Sequence, residues 1–100
     1  MSVAPLHGVE RARALRDLSG WTEAKGRDAI CKTFQFKSFS QAWAWMSRVA
    51  LYAEKTDHHP EWFNVYGRVE VTLATHSAGG VTEKDIELAR KMDSYAAGLG

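Results

Sequence analysis

One cysteine, Cys31, and two prolines in 100 residues set the first limits. A single thiol excludes an intrachain disulfide and any thiolate cluster for zinc, and in its apolar surroundings Cys31 reads as a buried, inert thiol. An excess of charge is missing too, since 13 basic and 12 acidic side chains leave a formal net charge of +1. Binding to nucleic acid or to an anionic membrane surface needs surplus positive charge, so neither partner is expected. No apolar run approaches the roughly 18 residues of a membrane-spanning helix. The stretch "MSVAPLHGVERARAL" lacks the unbroken apolar core of a secretory leader. These absences point to a cytoplasmic protein, with the nucleus also open to it in a eukaryote. Repeats, low-complexity tracts and long linkers are absent as well. What remains is ordinary globular composition, 45% hydrophobic and 25% charged, which suits a single domain over residues 1–100 with one core.

The apolar periodicity then supplies the elements. "PLHGVERARALRDLSG" predicts a first helix with Val9, Ala12, Leu15 and Leu18 on one face and Gly20 as its stop signal. "GWTEAKGRDAICKTFQF" predicts a short strand around Trp21, a turn near Gly26 and a strand ending at Phe36, with Lys32 interrupting the apolar parity of Ile30, Phe34 and Phe36. Ser38 and Gln41 fit a capping box for a second helix, whose buried stripe is Ala42, Met46, Val49, Ala50 and Ala53. Trp45 and Tyr52 lie off that stripe, which predicts a second apolar contact, with another subunit. In "EWFNVYGRVEVTLATH" a hairpin is expected with Gly67-Arg68 as its turn. Thr82 and Asp85 form a capping box for a last helix, with Val81 stapled to Ile86. The order α-β-β-α-β-β-α predicts a two-layer α+β domain, a four-stranded antiparallel sheet packed against helices.

Three of the four histidines cluster around that hairpin, in "EKTDHHPEWF" and "LATHSAGG". With Gly67-Arg68 as the turn, Tyr66 faces Val69, Asn64 faces Val71, Trp62 faces Leu73 and, continuing outward, His59 comes opposite His76. Proline at position 60 interrupts regular pairing and extends His59, which separates it in direction from His58. His7 has no such company and reads as a solvated residue at a helix start. Zinc is the poorer reading of the three, because adjacent histidines on an extended chain point apart and helical ligand spacing is missing. Acid–base work fits better. An imidazole with an ordinary pKa of about 6.5 can be either donor or acceptor near neutrality. A pair can then give one proton and take another in one turnover, each event worth roughly 10²–10⁴ in rate.

With those residues in view, the chain resembles the pterin-4a-carbinolamine dehydratases. "EKTDHHPEWFNVY", "VTLATH" and "GVTEKDIELA" carry the likeness through Glu54, His58, His59, Pro60, Tyr66, His76 and Asp85, and it extends over about residues 18 to 95. The resemblance implies dehydration of 4a-hydroxytetrahydropterin, as 4a-hydroxytetrahydrobiopterin, to the quinonoid dihydropterin, recycling the cofactor of aromatic amino acid hydroxylases. It implies His58 and His76 as the acid–base pair and His59 as the residue that holds and polarises the pterin. Asp57, Thr75, Ser77 and Trp21 match positions around the family's pterin site. The tetrahydropterin derivative is the substrate, and neither a metal nor another cofactor is expected. Asp85 is accounted for by the capping box and reads as structural. Partners implied are copies of the same chain, in a tetramer or otherwise a dimer. Some animal members also act as dimerisation cofactors of a homeodomain transcription factor. That non-catalytic coactivator role is the alternative, put in doubt by Ser77-Ala78, where those members differ.

Overall fold

Helices and strands follow the expected order in the computed structural model, which describes residues 4–99. Residues 1–3 and 100, at the ends of the expected domain and in the stretch read for a leader, lie outside the described residues. The elements are α1 (Gly8–Arg16), β1 (Thr22–Glu23), β2 (Ile30–Gln35), α2 (Phe39–Thr56), β3 (Glu61–Val65), β4 (Arg68–Leu73), a single 3₁₀ turn (His76–Ala78) and α3 (Glu83–Ala97). The strands form one antiparallel sheet in the order β1-β2-β4-β3. Among the described residues no helix is long and apolar enough to cross a membrane.

The core lies between one face of the sheet and the helices. Ile30 and Phe34 from β2 and Val69, Val71 and Leu73 from β4 meet Ala42, Trp45, Met46 and Val49 from α2 and Ile86, Leu88, Ala89 and Met92 from α3. Val81 and Ile86 are both fully buried where the staple was expected. Period-two alternation in β4 and the 3.6-residue stripe of α2 place these side chains inward. Lys32 shares the inward parity without breaking the core. Its ammonium leans over the Phe34 ring, donates to the Ser19 carbonyl and reaches Asp93 on α3 at 2.7 Å.

Four local expectations are corrected. Helix α1 ends at Arg16, and its packed side chains are Ala14 and Leu15, joined by Leu6 and Leu18 from outside the helix. Val9 is 73% exposed, so the expected stripe of Val9, Ala12, Leu15 and Leu18 does not form. Trp45 is fully buried, not a subunit-facing residue: its ring lies 4.5 Å from Phe34 and its indole N–H donates to the Met92 carbonyl. A buried indole needs such a partner, and α3 supplies it. The apolar residues that α2 leaves outside are Phe39, Trp43 and Leu51, while Ala50 of the expected stripe is exposed. Finally, Gln41 accepts from the Lys37 amide and not from the Ser38 amide, although Ser38 Oγ does cap the Gln41 amide as expected.

The hairpin register differs from expectation by two residues. Val65 pairs with Arg68, Asn64 with Val69 and Trp62 with Val71, so Tyr66 and Gly67 form the loop. Tyr66 takes the left-handed conformation at φ 52°, and Asn64 Nδ2 bonds the Tyr66 and Arg68 carbonyls beneath it. Glycine is required at 67 for another reason: an added Cβ would collide with the Phe36 carbonyl of the neighbouring strand end. A shift of two residues preserves every side chain's face, which is why the core assignment survives the wrong register.

Candidate active site

Pairing between β3 and β4 stops at Glu61–Thr72, so Pro60 lies outside the ladder and His59 is not held opposite His76 by regular pairing. The histidines meet by another route. Helix α2 ends with Asp57 in the left-handed region, φ 53° and ψ 44°. The His58 amide donates to the Ala53 carbonyl and the Asp57 amide to the Glu54 carbonyl. This Schellman closure reverses the chain and turns His58 inward. His76 arrives from the 3₁₀ turn after β4, whose base is tied by the Thr75–Gly80 bridge.

Together these segments line an open cavity of about 810 Å³. Asp57, His58, His59, Thr75, His76 and Ser77 all border it, joined by Arg27, Glu61, Ala74 and Lys84. Trp21 does not. It is buried on the far side of β2, where its indole N–H donates to Asp93 at 3.0 Å beside the Lys32 ammonium. Of the residues expected around the pterin, only Trp21 is drawn away, by the half-buried Asp93 carboxylate that satisfies its single donor.

Each histidine has a distinct setting. His58 is buried, and its Nε2 lies 2.6 Å from Oδ1 of Asp85, a carboxylate with no solvent exposure. His59 is exposed and its Nε2 lies 2.9 Å from Glu54. His76 is exposed and has no hydrogen-bonded side-chain partner among the described residues. Across the cavity Arg27 grips Glu61 through both guanidinium nitrogens at 2.8 Å each. That hydrogen bonding holds the Glu61 carboxyl below the usual carboxylate range, with His76 adding a smaller pull in the same direction. Among the described residues, no group of three or more histidine, cysteine or carboxylate side chains is set to hold a metal ion.

Asp85 does more than cap a helix. Its Oδ2 accepts from the Thr82 amide at 2.9 Å, which is the expected capping interaction, and from the Thr75 hydroxyl at 2.8 Å. Its other oxygen holds His58. The capping box was visible in the sequence, but the second oxygen's partner depended on tertiary placement. Arg27, Glu61 and Lys84 were also missed, as scattered charges without a spacing signal. Chemically, the cavity presents an imidazole braced by a buried carboxylate, a second imidazole exposed to solvent, and a third against an exposed carboxylate.

Asp57 carries backbone strain at the hinge of this arrangement, since a left-handed conformation is unfavourable for most side chains. Asp57→Gly should therefore melt no lower than the parent, and be stabilised by up to about 1 kcal/mol in urea titration. Because Asp57 borders the cavity, the same variant should lose activity, and a variant both less stable and fully active would contradict this reading.

A family model described as Pterin 4 alpha carbinolamine dehydratase matches residues 4–95. A protein of Bradyrhizobium sp. (strain ORS 278), named "Putative pterin-4-alpha-carbinolamine dehydratase", is 63% identical over 97 residues, covering 97% of each chain. A crystal structure of a transcriptional coactivator/pterin dehydratase from Brucella melitensis superposes with a TM-score of 0.89 at 59% identity, covering 92% of this chain and 98% of that one. A pterin dehydratase-like protein identified as a RuBisCO assembly factor in the alpha-carboxysome is more distant, with a TM-score of 0.66 at 27% identity over 77% of this chain and 89% of that one.

Proposed function

The chain belongs to the pterin-4-alpha-carbinolamine dehydratase family, and from that premise we propose that it dehydrates 4a-hydroxytetrahydropterin to the quinonoid dihydropterin. The observation that carries this is the convergence of His58, His59 and His76 on one cavity, with His58 braced by buried Asp85. In the reaction the C4a–O bond breaks and the N5–H proton departs, giving a C4a=N5 double bond and water. A protonated imidazole gives its proton to the leaving hydroxyl, and a neutral one takes the proton from N5. His58 and His76 are the pair for these steps, while His59, held by Glu54, orients and polarises the pterin. Asp57, Thr75 and Ser77 border the same space and contact the bound pterin. No metal or further cofactor takes part, and the physiological role is recycling of the tetrahydropterin used by aromatic amino acid hydroxylases.

Stopped-flow mixing with freshly generated 4a-hydroxytetrahydropterin tests this. Wild type should accelerate loss of the adduct over buffer, with no effect of chelators. Unaccelerated decay, or activity abolished by chelation and restored by zinc, would remove the reading.

We further propose that the chain works as a homo-oligomer, a tetramer or otherwise a dimer. Support comes from α2, where Phe39, Trp43 and Leu51 stand 53%, 59% and 74% exposed. Trp43, Ala50 and Leu51 border an apolar groove with Trp62. Light scattering should return a multiple of 11.2 kDa, and Trp43→Glu should shift it toward one chain. A monomeric wild type at micromolar concentration would sink the proposal. The same surface favours the second reading, a non-catalytic dimerisation cofactor for a transcription factor such as a homeodomain protein. That role survives only if partner binding persists in a chain that does not accelerate dehydration.

A further inference from the structure

Gly80 lacks a side chain for a reason that lies outside its own turn. It is buried, and unlike Gly79 with its φ of 74° it has no left-handed backbone that would itself call for glycine. What it lacks is room. An added Cβ would collide with Oδ2 of Asp28 and lie 2.8 Å from its Cγ. The Asp28 carboxylate, from the loop between β1 and β2, thus rests on the bare Cα of Gly80. That carboxylate is itself held in place, because Oδ1 is ion-paired with Arg11 Nη1 of α1 at 2.8 Å. The same guanidinium is tied to Glu23 at 2.6 Å, and the neighbouring Arg27 grips Glu61. Asp28 does not border the cavity.

Gly80 is also one foot of the turn that carries His76. The Thr75 amide donates to the Gly80 carbonyl at 2.9 Å and the Gly80 amide to the Thr75 carbonyl at 3.4 Å. The Ala78 and Gly79 amides return to the same Thr75 carbonyl, so the short segment between the two feet is bonded into one body. One foot is fixed by the Thr75 hydroxyl on Asp85, the other lies beneath Asp28. The Leu6 amide holds the Val81 carbonyl at 2.8 Å, which fixes the chain beyond the turn and leaves the tilt of the turn itself to Asp28. His58 and His59 each have a carboxylate against the ring, whereas His76 has no hydrogen-bonded side-chain partner among the described residues. Its direction is therefore set by the backbone beneath it. We propose that Asp28 is a positioning residue for His76, acting through Gly80 to aim the turn into the cavity. The proposal rests on the dehydratase reading above, in which His76 is one of the acid–base pair.

The test compares Asp28→Ala, Gly80→Ala and the double variant, in ¹H–¹⁵N spectra of the resting protein and in kinetics on 4a-hydroxytetrahydropterin. Asp28→Ala empties the space above Gly80 and should shift the His76, Ser77 and Ala78 amide signals. It should lower kcat roughly 10-fold with little change in KM, short of the roughly 10²-fold that a misplacement of about 1 Å can cost. Gly80→Ala should shift the same signals, because its new methyl pushes against the carboxylate. In the double variant that methyl takes the space the carboxylate has left, so signals and kcat should return toward wild type. Two independent structural losses would add instead. Glu23→Gln changes the other partner of Arg11 without touching Gly80, and should match wild type in both readouts. The proposal is overturned by a folded Asp28→Ala with wild-type turn signals and kcat, by a double variant as impaired as the two singles combined, or by Glu23→Gln reproducing the loss. If Gly80→Ala fails to fold, a double variant that folds and recovers is the same rescue, and one that also fails to fold overturns the proposal. The spectra need no substrate, so a turn that moves as expected in a protein without dehydratase activity would defeat the functional reading alone.

Discussion

Replacing His58 and His76 together with alanine should lower kcat/KM clearly more than either replacement alone. The pterin adduct tends to lose water unaided, so catalysis asks only for proton transfer and positioning and not for a covalent intermediate. Either imidazole borders the cavity and can reach the hydroxyl or N5, according to which face of the pterin carries the hydroxyl. Each single variant should cost about 10–10³-fold, reaching below the roughly 10²–10⁴ of one acid or base because the remaining histidine takes over part of the work. The double variant leaves only His59, which is turned to Glu54, and the costs should compound. His59→Ala should instead raise KM, because binding common to ground and transition states is lost. Single-turnover kinetics on both stereoisomers of the adduct decide the matter. A double variant with near-wild-type kcat/KM on both would mean that these histidines are not the catalysts.

Asp85→Asn should damage stability and turnover together. The carboxylate faces three donors with no solvent access: His58 Nε2–H, the Thr75 hydroxyl and the Thr82 amide. An amide has one oxygen and must turn its NH₂ toward one of them. If it faces Thr82 and Thr75, buried donors stand opposed, at roughly 1–3 kcal/mol. If it faces His58, the ring must surrender its Nε2 proton and take one on Nδ1, which removes the lone pair available for catalysis. Either way one function suffers, and a mixed population suffers both. The expected result is a destabilisation of about 1–3 kcal/mol in urea and a loss in kcat of roughly 10²-fold. Wild-type kcat in the folded variant would return Asp85 to a purely capping role.

Much of this was legible because period and parity are local properties. The stripe of α2, the alternation of β4 and the Thr82–Asp85 box needed only neighbouring residues to be read. Failures came where a residue's partner is distant in sequence. Trp45 seemed surplus to its helix because the Met92 carbonyl that receives its N–H lies on α3. Trp21 is expected at the pterin site from the family resemblance alone, and its anchor, Asp93, is equally remote in sequence. The hairpin turn was set one position late because Gly67 was read as a turn-former, when its need for a bare Cα comes from the Phe36 carbonyl. The gathering of histidines was foreseen, but through strand pairing; the structure brings them together through a helix end and a 3₁₀ turn. The partner of Asp85's second oxygen could not be read at all from spacing, since it joins residues 58 and 85.

The commitment of one carboxylate to both a helix start and a histidine also bears on how the protein breathes. Amide exchange at Thr82 requires release of its bond to Asp85, and that release also loosens the grip on His58. The first turn of α3 and the wall of the cavity therefore belong to one cooperative opening unit. Slow exchange at the Thr82 amide marks the fraction of molecules in which the candidate site is intact, so the resting protein carries its own gauge of competence in a backbone proton far from solvent.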